Sequence, residues 1–182
     1  NDSLLGDEGD DLLVGDVGND TLLGGEGQDG LFGNEGDDLL AGEAGDDLLN
    51  GGLGNDELDG GEGIDDVQGR EGDDLVVGGA GDDFLYGDGN DPTVLNLIGG
   101  NDTLDGEEGD DQLWGGAGQD QLFGGDGADQ LVGDVGDDVA QRIEDPGRLV
   151  QQGHQPDRRE HGDARGHPAG AHLHVAEGLV RQ

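Results

Sequence analysis

Apolar residues return along this chain with a period of nine. Leu13, Leu22, Leu31, Leu40, Leu49, Leu58, Val67, Val76 and Leu85 fall in one unbroken phase. Each is the centre of a short segment such as Leu12-Leu13-Val14, and each segment is separated from the next by six residues dominated by Gly and Asp. An amphipathic helix needs apolar residues three and four apart, and that spacing is missing. Side chains alternate across a strand, so the central residue points one way and its two neighbours the other. The pattern therefore predicts many short strands joined by glycine-rich turns, with the central column as the core.

The full unit is Gly-Gly-x-Gly-x-Asp-x-(Leu/Val)-x. Nine units begin at Gly6, Gly15, Gly24, Gly33, Gly42, Gly51, Gly60, Gly69 and Gly78, and four more at Gly106, Gly115, Gly124 and Gly133. All thirteen carry Gly at positions one and four and Asp at position six; position eight is Leu or Val in twelve, with Ala140 the exception. Positions one to six read as a turn, where Gly supplies backbone angles closed to other residues. Position two departs most often, as Asp7, Asp16, Asn34, Glu43, Arg70, Glu107 and Asp134. Asn and Asp tolerate a left-handed backbone, whereas Glu and Arg do so less readily. The pattern is thus weakest in the loops 42–47, 69–74 and 106–111.

Residues 87–105 break the phase. Gly87-Asp88-Gly89-Asn90-Asp91 reads as a loop one residue short, Pro92 to Ile98 as an insertion, and Gly99 to Asp105 as a shortened unit. The segment spans 19 residues, one more than two units. The expectation is that sheet parity survives and one rod continues with a bulge; the alternative is a hinge between two rods. On that parity Phe32, Phe84, Tyr86 and Phe123 project from one sheet and Trp114 from the other. The division is then 1–86 as a first regular block, 87–105 as irregular repeats, 106–141 as a second block, and 142–182 as an Arg- and His-rich tail.

Charge changes the picture. The chain has 46 acidic residues and no Lys, and its net charge is −39. All of that charge lies in the repeats, because Arg70 is their single cation while six Arg and six acids balance beyond Gln141. Nucleic acid and anionic membrane are poor partners for such a surface, and cations are good ones. One reliable core residue in nine, set against this repulsion, is the composition of a chain that does not fold on apolar burial alone. With no Cys, disulfides do not assist.

This repeat resembles the RTX, or hemolysin-type, calcium-binding nonapeptide repeat over roughly residues 1–141. The resemblance implies an all-β fold, a parallel β-roll (a two-sheet β-helix solenoid), here with a poorly ordered C-terminal tail. Successive units alternate between two sheets, so each stacks on the unit eighteen residues away, in a rod about 35 Å long at strand spacing. It implies multiple Ca²⁺ ions between stacked loops. Their metal ligands are Asp11, Asp20, Asp29, Asp38, Asp47, Asp56, Asp65, Asp74, Asp83, Asp102, Asp111, Asp120, Asp129 and Asp138. Loop carbonyls complete the set, such as those of Gly6, Gly15, Gly24, Gly33, Gly42, Gly51, Gly60, Gly69, Gly78, Gly106, Gly115 and Gly124. Carboxylates and carbonyls are the oxygen donors that calcium prefers. The stacked Asp pairs are 11/29, 20/38, 29/47, 38/56, 47/65, 56/74, 65/83, 111/129 and 120/138, with Asp2, Asp91 and Asp102 as further candidates. Position-five Asp and Asn (Asp10, Asn19, Asp37, Asn55) are expected to support the loops by hydrogen bonds, which Ile64 and Ala128 cannot do.

The functional expectation is a calcium-binding module of a secreted bacterial protein, exported by type I secretion and folded outside the cell. Its alternatives are an adhesive or structural spacer rod, or the repeat part of a secreted enzyme or toxin. No catalytic motif is present, so the segment itself is expected not to be an enzyme and any catalytic or toxin domain would lie upstream. Residues Asn1–Leu5 read as the end of an earlier unit, which suggests a piece of a longer array. No apolar stretch is long enough to insert in a membrane. His154, His161, His167, His172 and His174 sit in a tail that reads as solvated, with at most a weak capping role.

Overall fold

A computed structural model describes residues 1–88 and 99–143, the last two by backbone alone. It is all-β: fifteen strands in two parallel sheets, with no helix among the described residues and hence none able to cross a membrane. The eight-stranded sheet contains β1 (Ser3–Glu8), β3 (Thr21–Glu26), β5 (Leu39–Ala44), β7 (Glu57–Glu62), β9 (Leu75–Ala80), β11 (Thr103–Glu108), β13 (Gln121–Asp126) and β15 (Val139–Ile143), in that order. The seven-stranded sheet contains β2 (Leu12–Val17), β4 (Gly30–Glu35), β6 (Leu48–Leu53), β8 (Asp66–Glu71), β10 (Phe84–Tyr86), β12 (Gln112–Ala117) and β14 (Gln130–Val135). Each chain segment crosses to the opposite sheet, so sequence neighbours face each other and strands eighteen residues apart pair, as in Leu4↔Leu22. This is a parallel β-roll of about seven turns.

The strands are longer than the three residues expected. Each regular strand runs six residues, from position seven of one unit to position three of the next. Position-two and position-three residues continue the ladder, for example Asp7↔Gly25 and Glu8↔Glu26. Only positions four to six remain as turn.

Position eight fills the core. Leu22, Leu31, Leu40, Leu49, Leu58, Val67, Val76, Leu85, Leu104, Leu113 and Leu122 are fully buried between the sheets, with Leu13 and Leu131 nearly so. Leu4 and Ala140 pack against the two ends of this column. The column is one residue wide, because positions seven and nine face outward.

The seven non-glycine residues at position two all adopt the left-handed backbone, with φ between 64° at Asp134 and 91° at Arg70. The ladder therefore holds this conformation even where Glu43, Arg70 and Glu107 do not favour it, and the loops at 42–47, 69–74 and 106–111 stay in register. Arg70 is further tied down. The Asn50 side-chain oxygen, in the amide orientation that satisfies both groups, accepts from Arg70 Nε at 2.8 Å.

The interrupted segment is one unit, not two. Strand β9 pairs with β11 through Leu75↔Thr103, and β10 pairs with β12 through Leu85↔Leu113, each 28 residues apart rather than eighteen. The rod is continuous, but an interruption of about two units in length contributes a single strand. Parity therefore differs from the count made on length alone. Trp114 shares the seven-stranded sheet with Phe32, Phe84 and Tyr86, stacking on Tyr86 with ring centroids 4.7 Å apart, and Phe123 lies on the other sheet. Asp91 and the tail beyond Ile143, with its histidines, lie outside the described residues.

Candidate metal centre

The turns form two rows along the edges of the roll. Edge one holds residues 9–11, 27–29, 45–47, 63–65, 81–83, 109–111 and 127–129; edge two holds 18–20, 36–38, 54–56, 72–74, 100–102, 118–120 and 136–138. Position six ends every turn, so the roll places Asp11, Asp29, Asp47, Asp65, Asp83, Asp111 and Asp129 on edge one. Edge two holds Asp20, Asp38, Asp56, Asp74, Asp102, Asp120 and Asp138.

Within each row the aspartates are linked by one repeated hydrogen bond. The backbone N–H of each donates to Oδ1 of the aspartate one rung on, as in Asp11 to Asp29 (2.8 Å), Asp20 to Asp38 (2.7 Å), Asp29 to Asp47 (2.7 Å) and Asp47 to Asp65 (2.8 Å). The remaining pairs read from the repeat, 38/56, 56/74, 65/83, 111/129 and 120/138, are joined in the same way. The rows also run through the interruption, by Asp74 to Asp102, Asp83 to Asp111 and Asp102 to Asp120. Asp2 joins the end of edge two through Asp20.

The second carboxylate oxygen is treated differently. Oδ2 of Asp20, Asp29, Asp38, Asp47, Asp56, Asp65, Asp74, Asp83, Asp102, Asp111 and Asp120 is buried with no hydrogen-bond partner. A buried carboxylate oxygen without a partner is costly, and its cost falls when a cation or a proton neutralises it. The glycine at position one lies against this oxygen. A Cβ added to Gly15 would sit 2.6 Å from Asp20 Oδ2 and 2.9 Å from the Gly33 carbonyl; one on Gly78 would sit 2.6 Å from Asp83 Oδ2 and 3.0 Å from the Gly106 carbonyl. Carboxylate and main-chain oxygens thus border the same small spaces, which only glycine leaves open. Among the described residues no three acidic or histidine side chains converge on one point. Any cation held here draws the rest of its shell from carbonyls, which suits a hard ion of flexible coordination such as calcium.

Electrostatics agree with this geometry. Burial pushes Asp47, Asp56 and Asp120 up to about 6, Asp65, Asp74 and Asp111 to about 7, and Asp102 to about 8. Neighbouring carboxylates of the same row add to the rise, and the backbone N–H bond to Oδ1 opposes it. Asp38, Asp83 and Asp138 are raised for the same leading reason.

Position five supports the turns from outside. The Asp10 side chain accepts from Gln28 N–H (3.0 Å), Asp37 from Asn55 (3.0 Å), Asn55 from Asp73 (3.1 Å) and Asn101 from Gln119 (2.9 Å). Ile64 and Ala128 receive this support from Asp46 and Asp110 but have no side-chain oxygen to pass it on.

One acidic residue has no counterpart in the repeat. Asp88 occupies position two of the interrupted unit, yet it is buried, at 5% exposure. Its Oδ2 accepts the N–H of Ala117, and Gly100 donates to the same carboxylate. Its position was hidden in the sequence because Gly87 to Asp91 imitates a turn.

Two parallel rows of half-satisfied buried carboxylates, each bordered by glycine carbonyls, define a β-roll built to hold hard cations along both edges. The profile of the RTX calcium-binding nonapeptide repeat matches residues 1–31, 23–58, 32–67, 59–94, 99–122 and 108–140. The chain belongs to that family and is a calcium-binding repeat module. No curated protein and no solved structure matches it.

Proposed function

We propose that this module is a calcium-responsive folding unit of a secreted bacterial protein, extended where calcium is scarce and folded outside the cell. The observation that carries the reading is the double row of buried Oδ2 atoms without partners. Forty acids in the repeats repel one another, and a one-residue-wide core does not offset that repulsion and the loss of chain entropy. Calcium, when bound, supplies the positive charge and the bonds that those oxygens lack. Stacked position-six aspartates and position-one carbonyls hold it, with Asp74/102, Asp83/111 and Asp102/120 joining the nine pairs legible in the sequence. Extracellular modules bind at roughly 10⁻⁴–10⁻³ M, so the same chain stays open in a calcium-poor cytosol. Binding to the folded state alone then drives folding by mass action. Passage through a type I secretion channel as an extended chain fits this behaviour.

On this reading the segment does no catalysis, and any enzyme or toxin activity belongs to a further domain. Far-UV circular dichroism tests the proposal. The chain is expected to be coil in chelator at neutral pH and β-rich at millimolar calcium, with equal magnesium much less effective. A β spectrum that persists in chelator at neutral pH overturns it.

A further inference from the structure

The interrupted unit differs from every other in one charge. At the other non-glycine position-two residues the backbone is left-handed and the side chain is exposed, or half-buried at Arg70. Asp88 is not left-handed, and its side chain turns inward. Two features fix it there. The N–H of Ala117, on the next rung of the same sheet, donates to its Oδ2, and Gly100, where the chain re-enters the turn, donates to the same carboxylate. Asp88 thus joins the departing strand, the returning turn and the next rung.

That placement sets a fourth carboxylate beside one stretch of edge two. The charge of Asp88 bears on Asp74, Asp102 and Asp120, all of which are 3% exposed or less and have an unpartnered Oδ2. A Cβ on Gly87, the residue before Asp88, would run into both Asp102 Oδ2 and the Gly115 carbonyl. The oxygen-lined space of the regular unit is therefore preserved here, with an additional negative charge next to it. No other described rung has a buried acid outside position six.

We propose that Asp88 makes the Asp102 site the tightest calcium site of the roll and the first to fill. This rests on the calcium reading above. Asp88 acts as a positioning residue and a source of field, since its carboxylate accepts the main-chain N–H groups of Ala117 and Gly100. A unit charge in a partly desolvated site changes cation affinity by about tenfold or more.

The only Trp and Tyr of the chain provide the probe. Tyr86 and Trp114 stack on each other and directly precede Gly87 and Gly115. Terbium(III), a hard cation that luminesces when excited through a nearby indole, reports on this site selectively. In the wild-type chain the first equivalent of terbium should give most of the Trp-sensitised emission, and later equivalents little. Calcium should displace it last from this site. Asp88→Asn should weaken that first step about tenfold and leave the later steps in place, while Glu107→Gln, which removes an exposed charge on the next unit, should not. Emission that grows evenly over all equivalents overturns the proposal. So does an Asp88→Asn chain that titrates like wild type, or one in which every step weakens equally, which marks Asp88 as a structural staple only. Absence of any terbium or calcium binding by the wild-type chain refutes the calcium reading itself, a separate result.

Discussion

The two edges of the roll are made from the same nonapeptide, yet they differ in how they are tied together. On edge two, the position-five side-chain oxygens of Asn1, Asp37, Asn55, Asp73 and Asn101 accept a backbone N–H from the next rung, in a run unbroken from Asp37 to Gln119 that crosses the interruption through Asp73 and Asn101. On edge one the bonds come in shorter runs, Asp10 to Gln28, Asp46 to Ile64 and Asp82 through Asp110 to Ala128, and Ile64 has no side-chain acceptor to continue its run. Edge two also takes the ten-residue excess of the 28-residue step and gains Asp88. The edge that carries the insertion thus also has the longest unbroken outer run. An insertion is tolerated where the flanking turn keeps its inner aspartate and outer Asx bond, because a solenoid needs only that each rung match its neighbours.

The largest effect that sharpens this comparison is that of pH on the calcium-depleted chain. The folded roll holds the central row aspartates above the ordinary value of 3.8, at about 6 for Asp47 and about 8 for Asp102. A raised pKa in the folded state means that folding takes up protons, so it favours the fold at low pH. That contribution is full below about 3.8 and is lost as pH rises through about 6 to 8. Calcium-depleted protein should therefore gain β-structure as pH falls from 8 to 4, followed by circular dichroism. Edge two at Asp102 should be the last site to lose its proton on raising pH, read by carboxyl carbon NMR. No gain of β-structure over that range breaks the argument.

Next in size is the loss of a single row aspartate. Asp102→Asn, next to Asp88, should raise the calcium midpoint by about tenfold, and Asp65→Asn on edge one by only a few-fold, measured by calorimetric titration. Equal shifts for the two variants remove the electrostatic distinction between the edges.

Smaller still are the outer ladders. Asn55→Ala cuts the unbroken run from Asp37 to Gln119 on edge two and should cost about 1 kcal/mol of stability in saturating calcium, by thermal unfolding. The smallest effect is a gain. Ile64→Asn restores an acceptor to edge one and removes a half-exposed apolar side chain, so it should stabilise by about 0.5 kcal/mol. A loss of stability in this variant shows that the gap at Ile64 is not a defect of the ladder.

The features legible in the sequence are those that repeat locally. The nine-residue phase placed Leu58 and its equivalents in the core, because a strand of alternating faces leaves position eight no other destination. The same phase put Asp47 and Asp65 one rung apart with glycines beside them. Tertiary structure alone decided the rest. Strand length was invisible, since a position-two Glu43 in a left-handed backbone reads as turn and only the ladder bond to the next rung makes it strand. Parity through residues 87–105 was invisible too. Nineteen residues resemble two units by length, but pairing of Leu75 with Thr103 counts them as one and moves Trp114 onto the sheet of Tyr86. Asp88 followed from that pairing, because a carboxylate becomes an acceptor for Ala117 only once the chain has left the rung and returned. Local repetition specifies the unit, and the closing of hydrogen bonds between distant units specifies how many there are and where an irregular one is absorbed.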